Sequence, residues 1–226
     1  MGVISGGSRC VRDVQYPQMV ASGVVGWTSA GDSTLTLASL DRSGGGLSLA
    51  TDTTDNDCGV AYRESGEVFD FGDVGCRCVM KAKVKFTQGA SAGDLFIGFT
   101  DTLSSSTIAD DEGGLASQDA IGFWVNHSTN FWRSVALNAT AESGNSAAVA
   151  FVTATTYDLR MEVEGLTGGL TIRYYVDNVL VSTVTGFTYT SFGPELQFGI
   201  AVANAGGGAA NTVEVYELDI SHRANS

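Results

Sequence analysis

Cys76-Arg-Cys-Val-Met-Lys-Ala-Lys-Val-Lys-Phe86 is the stretch that decides how this chain folds. Cys76, Cys78, Met80, Ala82, Val84 and Phe86 fall on one side of a period of two. Arg77, Val79, Lys81, Lys83 and Lys85 fall on the other. Successive side chains of a β-strand point to opposite faces, so the pattern is a strand with one face in a core and one toward water. The same period recurs at Leu95, Ile97 and Phe99, at Ile121, Phe123 and Val125, and at Phe131, Arg133, Val135 and Leu137. It returns at Leu159, Met161 and Val163, at Leu170, Ile172, Tyr174 and Val176, and at Leu196, Phe198, Ile200 and Val202. No stretch holds a helical apolar stripe for three turns, and the best candidate for a short helix is the Ala-rich segment 139–150.

Two local features refine the pattern. Asp177-Asn178 separates two alternating runs, and both residues tolerate positive φ, so a tight hairpin turn is expected there. Between Thr212 and Ile220 the alternation changes phase, with Val213 and Val215 in one register and Leu218 and Ile220 one residue out of step. A β-bulge supplies one extra residue of that kind. About a dozen short strands with frequent turn signals imply an all-β, two-sheet antiparallel β-sandwich. Residues 1–22, Gly-rich and containing Pro17, read as an extended N-terminal arm, and 23–226 as the sandwich domain.

Composition sets the limits on function. The 226 residues carry 12 Lys and Arg against 25 Asp and Glu, a net charge of −13. Such a chain lacks the cation density that nucleic-acid binding needs. No apolar run reaches the ~20 residues of a membrane span. The segment Met1 to Cys10 has no basic region followed by an apolar one, so no secretory signal is read. Four cysteines, Cys10, Cys58, Cys76 and Cys78, are too few for a disulfide framework and suit synthesis in a reducing cytoplasm. Cys76 and Cys78 read as small buried hydrophobes.

Three segments carry a resemblance. Tyr157 to Glu164 followed by Gly168 to Val181 forms paired strands around Tyr175-Val-Asp-Asn178; Phe86 to Phe99 leads on to Asp119-Ala-Ile-Gly-Phe-Trp124; Leu196 to Val202 precedes a Gly-rich loop and a last strand at Val213 to Ile220. Together they resemble the concanavalin A-like lectin/glucanase superfamily, and especially the laminin-G-like modules of tailed-phage structural proteins. The resemblance covers residues 25–221 and implies a jelly-roll sandwich that hosts enzymes, lectins and inert structural modules alike.

The glucanase branch of that superfamily uses a Glu-Ile/Leu-Asp-x-x-Glu strand, and this chain has Glu217-Leu-Asp-Ile-Ser-His222. Retaining hydrolysis needs two carboxyl groups ~5–5.5 Å apart. Ser221 and His222 stand where the second would fall, so no catalytic residues are assigned and the chain is expected not to be an enzyme. Glu162 and Glu164 alternate with Met161 and Val163 and, with Arg160, read as a solvated strand face. His127 and His222 read as surface residues. Asp52, Asp55 and Asp57 concentrate carboxylates in one loop, as Ca2+ coordination requires, and equally as turn formation requires. Asp110-Asp111-Glu112 carries the same two readings. Trp124 and Trp132 lie opposite Phe123 and Phe131 on their strands and are candidates to stack on a sugar, or else fill the core.

The three lysines, Lys81, Lys83 and Lys85, stand on one strand face with Arg77 behind them. They read either as guards of a sheet edge or as a stripe that docks on an acidic surface. With Arg9 and Arg12 of the arm, they are the expected contacts to a partner. Together with the absent secretion signal, the incomplete catalytic set and the Gly-rich arm, the resemblance implies a tailed-phage decoration, or cement, protein, made in the host cytoplasm and bound on the capsid surface to the major capsid protein. A trimer is the assembly that shell symmetry suits. The alternative is a carbohydrate-binding module of a tail fibre or baseplate.

Overall fold

The computed structural model describes residues 11–16, 27–31, 36–40, 46–54, 58–63, 68–89, 93–101, 103, 118–126, 130–138, 141–143, 147–189, 195–204 and 209–223. In chain order the strands are β1 (Val11–Tyr16), β2 (Trp27–Gly31), β3 (Thr36–Ser39), β4 (Leu47–Ala50), β5 (Cys58–Arg63), β6 (Val68–Asp70), β7 (Arg77–Thr87), β8 (Gly93–Thr100) and β9 (Asp119–Val125). There follow β10 (Phe131–Asn138), β11 (Ala141–Ser143), β12 (Ala147–Ala150), β13 (Thr156–Leu166), β14 (Gly169–Val176), β15 (Val179–Phe187), β16 (Glu195–Asn204) and β17 (Thr212–Arg223). Among the described residues there is no helix.

The strands form two antiparallel sheets. One runs β15-β14-β13-β7-β17-β4-β3, with β1 also on β17; the other runs β11-β10-β9-β8-β16-β5-β2, with β12 on β10 and β6 on β16. β7 shows why they stack. Cys78, Met80, Ala82, Val84 and Phe86 are buried while Arg77 and Lys81 are exposed, so the strand divides core from solvent as its alternation requires. Its inward row joins Leu159, Met161 and Val163 of β13, Ile172 and Tyr174 of β14, and Leu218 and Ile220 of β17. From the other sheet come Leu95, Ile97 and Phe99 of β8, Ile121 and Phe123 of β9, and Phe198 and Ile200 of β16. Each fully buried side chain of this size contributes about 1.5–3 kcal/mol.

Aromatic rings lock the two layers edge to face. Phe123 stands 5.5 Å from Tyr174 and Trp132 stands 5.5 Å from Tyr157, ring centre to ring centre. The Tyr174 hydroxyl donates to the Val135 carbonyl, so β14 of one sheet is hydrogen-bonded to β10 of the other.

β8 and β9 are buried on both faces. On the outer face of the nine-stranded sheet, Cys58, Val60, Phe96, Ala120, Ala201 and Ala203 form a second cluster, with Tyr62, Leu103 and Leu137 packed against it. Gly199, Gly98 and Gly122 lie side by side across β16, β8 and β9. A Cβ on Gly98 would fall 2.3 Å from the Ile121 carbonyl oxygen, and one on Gly199 would fall 2.3 Å from Leu103 Cδ2. The glycine row is thus a trough into which Leu103 settles.

The turn and the bulge stand where the sequence places them. Asp177 and Asn178 take φ of 50° and 64°, the left-handed pair of a tight hairpin. Along β17 the pairing with β7 shifts between Val215 and Glu217, which leaves Tyr216 as the extra residue and returns Leu218 and Ile220 to the core. Three expectations are corrected. The 139–150 segment contains β11 and β12, because the edge of β10 offers ladder bonds and Ser143, Gly144 and Asn145 interrupt the run in which alanine would favour helix. β7 is not an edge strand: β13 and β17 flank it. Alternation reports the face of a strand and is silent on its place in the sheet. His222 is buried, at 5% exposure, because β17 continues its alternation past Ile220. Its Nε2 donates to the Asp70 carbonyl at 2.7 Å, and its ring meets Phe69 and Phe71 edge-on.

Cys58, Cys76 and Cys78 are free and buried, and burial pushes the thiols of Cys76 and Cys78 above the ordinary range. In a Cys10→Ser variant, a thiol reagent at pH 8 should label none of the three until denaturant is added. Tyr174→Phe should lower the free energy of unfolding in urea by about 1–3 kcal/mol, since the Val135 carbonyl loses its partner in the dry interior. Rapid native labelling, or an unchanged urea midpoint, would contradict this packing.

Candidate functional site

The outward face of β14, β13, β7 and β17 collects most of the chain's cations. All three lysines stand on it, with Arg77, Arg160, Arg173 and Arg223, which makes seven of the 12 Lys and Arg residues. Six carboxylates share the face: Asp158, Glu162, Glu164, Glu214, Glu217 and Asp219. The remainder of the chain is left with five cations against 19 carboxylates.

Register arranges these charges in rows across β13, β7 and β17. Lys83 lies between Asp158 and Glu217, at 3.7 and 3.5 Å. Lys85 meets Glu214 at 2.6 Å, and that hydrogen bond pushes its pKa up. Arg77 meets Glu164 at 2.9 Å. Lys81 differs, because Arg160 stands opposite it on β13 and Asp219 on β17. Arg160 turns to Glu162 of its own strand at 2.9 Å and lies 3.8 Å over the Tyr175 ring. Lys81 makes no ion pair with any described residue. Around these two residues opens a groove of about 590 Å³, which Lys83, Asp158, Asn178 and Asp219 also line.

The other candidates are dispersed. Glu217 and Asp219 stay on the solvent face, Glu217 beside Lys83, while His222 points into the core. Both carboxylates line the groove around Lys81 and Arg160. Trp124 and Trp132 are 5% and 1% exposed, so neither offers a ring face to a sugar. Trp132 packs between the sheets, and Trp124 faces Arg133 on the covered outer side, 6.0 Å from its guanidinium. Phe131, at 39%, is the exposed aromatic of β10.

Asp52 closes its own turn, accepting from the Thr54 amide at 2.6 Å and the Thr54 hydroxyl at 3.1 Å. Asp55, Asp57, His127, Arg9 and the 110–112 cluster lie outside the described residues, and Arg12 belongs to β1, in register with His222. Among the described residues, no three His, Cys, Asp or Glu side chains gather as a metal ion would require. The sequence reading missed Arg173, Tyr175 and Arg223 as members of the charged face. Each sits in the outward phase of a strand whose pairing partner only the topology reveals.

No family model matches the chain, and no curated protein matches its sequence. Its similarity to solved structures is extensive. The carbohydrate recognition domain of Emp47p aligns with a TM-score of 0.59 at 13% identity, over 97% of this chain and 98% of that one. Peanut lectin, solved with a nine-residue peptide, aligns with a TM-score of 0.61 at 11% identity, over 96% and 99%. A protein of unknown function from Shewanella oneidensis MR-1, SO2946, aligns with a TM-score of 0.62 at 11% identity, over 98% and 90%. At such identities the likeness is one of fold. Two antiparallel sheets, matched over nearly the whole chain by lectin domains, give this chain the jelly-roll sandwich fold that those domains have.

Proposed function

We propose that this chain is a non-catalytic structural module of a tailed-phage virion, a decoration protein that binds the outer capsid and braces contacts between copies of the major capsid protein. The observation that carries the reading is where its chemically capable side chains lie. Trp124 and Trp132 are packed away, and Glu217 and Asp219 line an open groove on a lysine-studded sheet, in register with Lys83 and Lys81. A rigid block with a broad polar face remains. The resemblance to laminin-G-like modules of phage structural proteins supports the same reading.

A cement protein acts by adding interface area across seams strained by packaged DNA. A stable contact of ordinary size buries about 1,600 Å². Two sheets cross-linked through Tyr174 and the aromatic rows transmit such a load without reshaping, because packed interiors deform little. The lead-in segment contributes β1, which lies along β17 for six residue pairs. Repetition around the shell's symmetry axes suits a trimer.

A second reading is favoured by one observation: among the similar structures are the carbohydrate recognition domain of Emp47p and peanut lectin. On that reading the chain is a glycan-binding module of a tail fibre or baseplate.

Fractionation of purified virions into heads and tails, followed by mass spectrometry, separates the two. The decoration reading expects the chain with heads, at many copies per particle, and no binding on a glycan array. Recovery with tails together with glycan binding supports the second reading, and absence from mature particles overturns both.

A further inference from the structure

We infer that the groove centred on Lys81 and Arg160 is a carboxylate-binding site, and that through it this face docks on an acidic protein surface. The inference rests on the reading of the chain as a docking module and adds which face docks and to what chemistry. Like charges directly opposite on neighbouring strands are destabilising, yet Arg160 and Lys81 occupy opposed positions in the middle of the sheet. Nearby lysines have their partners: Lys83 has Asp158 and Glu217, and Lys85 has Glu214. Lys81 has none among the described residues, and Arg160 turns sideways, its Nη1 to Glu162 and its plane over the Tyr175 ring. The space between them is an open groove of about 590 Å³. Asp158, Glu217 and Asp219 line it too; Lys83 engages the first two, and Asp219 stands in register with Lys81. A carboxylate that reaches both Lys81 and Arg160 therefore reduces a repulsion that Asp219 alone offsets from one side.

Charge complementarity selects the partner. With seven cations and six carboxylates, this face is close to neutral on a chain of net charge −13. The rest of the sequence carries 19 carboxylates against five cations; on this face an acidic partner meets cations held on a central strand. At physiological salt, charges interact over about 8 Å, so the local face and not the net charge decides the encounter. The surrounding ion pairs are exposed and individually weak, which lets them re-pair across an interface at little cost. A protein surface fits better than an acidic polysaccharide, because the groove offers no free aromatic face for a sugar ring: the Arg160 guanidinium already covers Tyr175.

Titration of the isolated chain with hexaglutamate, followed by NMR at 50 mM salt, tests the site. Shifts should cluster on β7, β13 and β17 around Lys81 and Arg160, and vanish at 0.5 M salt. Lys81→Gln and Arg160→Gln should each weaken binding roughly two- to fivefold, Lys81→Arg should retain it, and all three should keep the wild-type spectrum elsewhere. Shifts on another face, unchanged affinity in both Gln variants, no binding at all, or binding of hexagalacturonate in preference to hexaglutamate would each overturn the inference. Because the titration uses the lone chain, its outcome is separate from where the chain sits in a virion. Hexaglutamate binding by a chain found on tails removes the decoration role and leaves the site.

Discussion

The register of β7 is the constraint from which the rest of the molecule follows. β13 and β17 hold this strand from both sides over most of its length. A slip of one residue would send Met80, Val84 and Phe86 to water and drive Lys81, Lys83 and Lys85 into an apolar interior. Burying an unpaired ammonium there costs far more than any exposed ion pair returns. The bulge at Tyr216 belongs to the same constraint, since without it the second half of β17 would present Glu217 and Asp219 to the core and Leu218 and Ile220 to solvent.

The two sheets are unequal. The eight-stranded one is a divider, with hydrocarbon on one side and a grid of charges on the other. The nine-stranded one is covered twice, by the main core and by the second cluster over its glycine trough. Trp124 lies on that second side, and this explains why an aromatic out of phase with the core is nevertheless buried. On the proposed reading, recognition falls to the charged side of the eight-stranded sheet, where long side chains stand on paired strands.

Much of this was legible in the sequence because a period of two is a local signal. β7, β13, β14 and β16, the Asp177-Asn178 turn and the phase change on β17 all follow from residues within reach of one another. What escaped was non-local. Whether β7 is an edge or a central strand depends on residues more than 70 positions away, and so does the pairing of Lys83 with Asp158 and Glu217. His222 was misplaced because its burial depends on Phe69 and Phe71, which arrive from a distant strand and its connection. Alanine-rich β11 and β12 pair with the edge of β10, which their own composition does not announce. The charged face became a candidate site only when arginines from three further strands came alongside the lysines.

On this account the molecule acts through shape and charge on one face. All three lysines of the chain lie on that face, so amine chemistry reads it directly. The most direct measurement is the rate at which an acetylating ester modifies Lys81, Lys83 and Lys85 in the free chain and in purified virions, followed by peptide mass spectrometry. The account predicts slow modification of all three, and of Lys81 above all, on the particle, against ready modification in solution. Equal rates in the two states would show that the face remains open to solvent, and would contradict it.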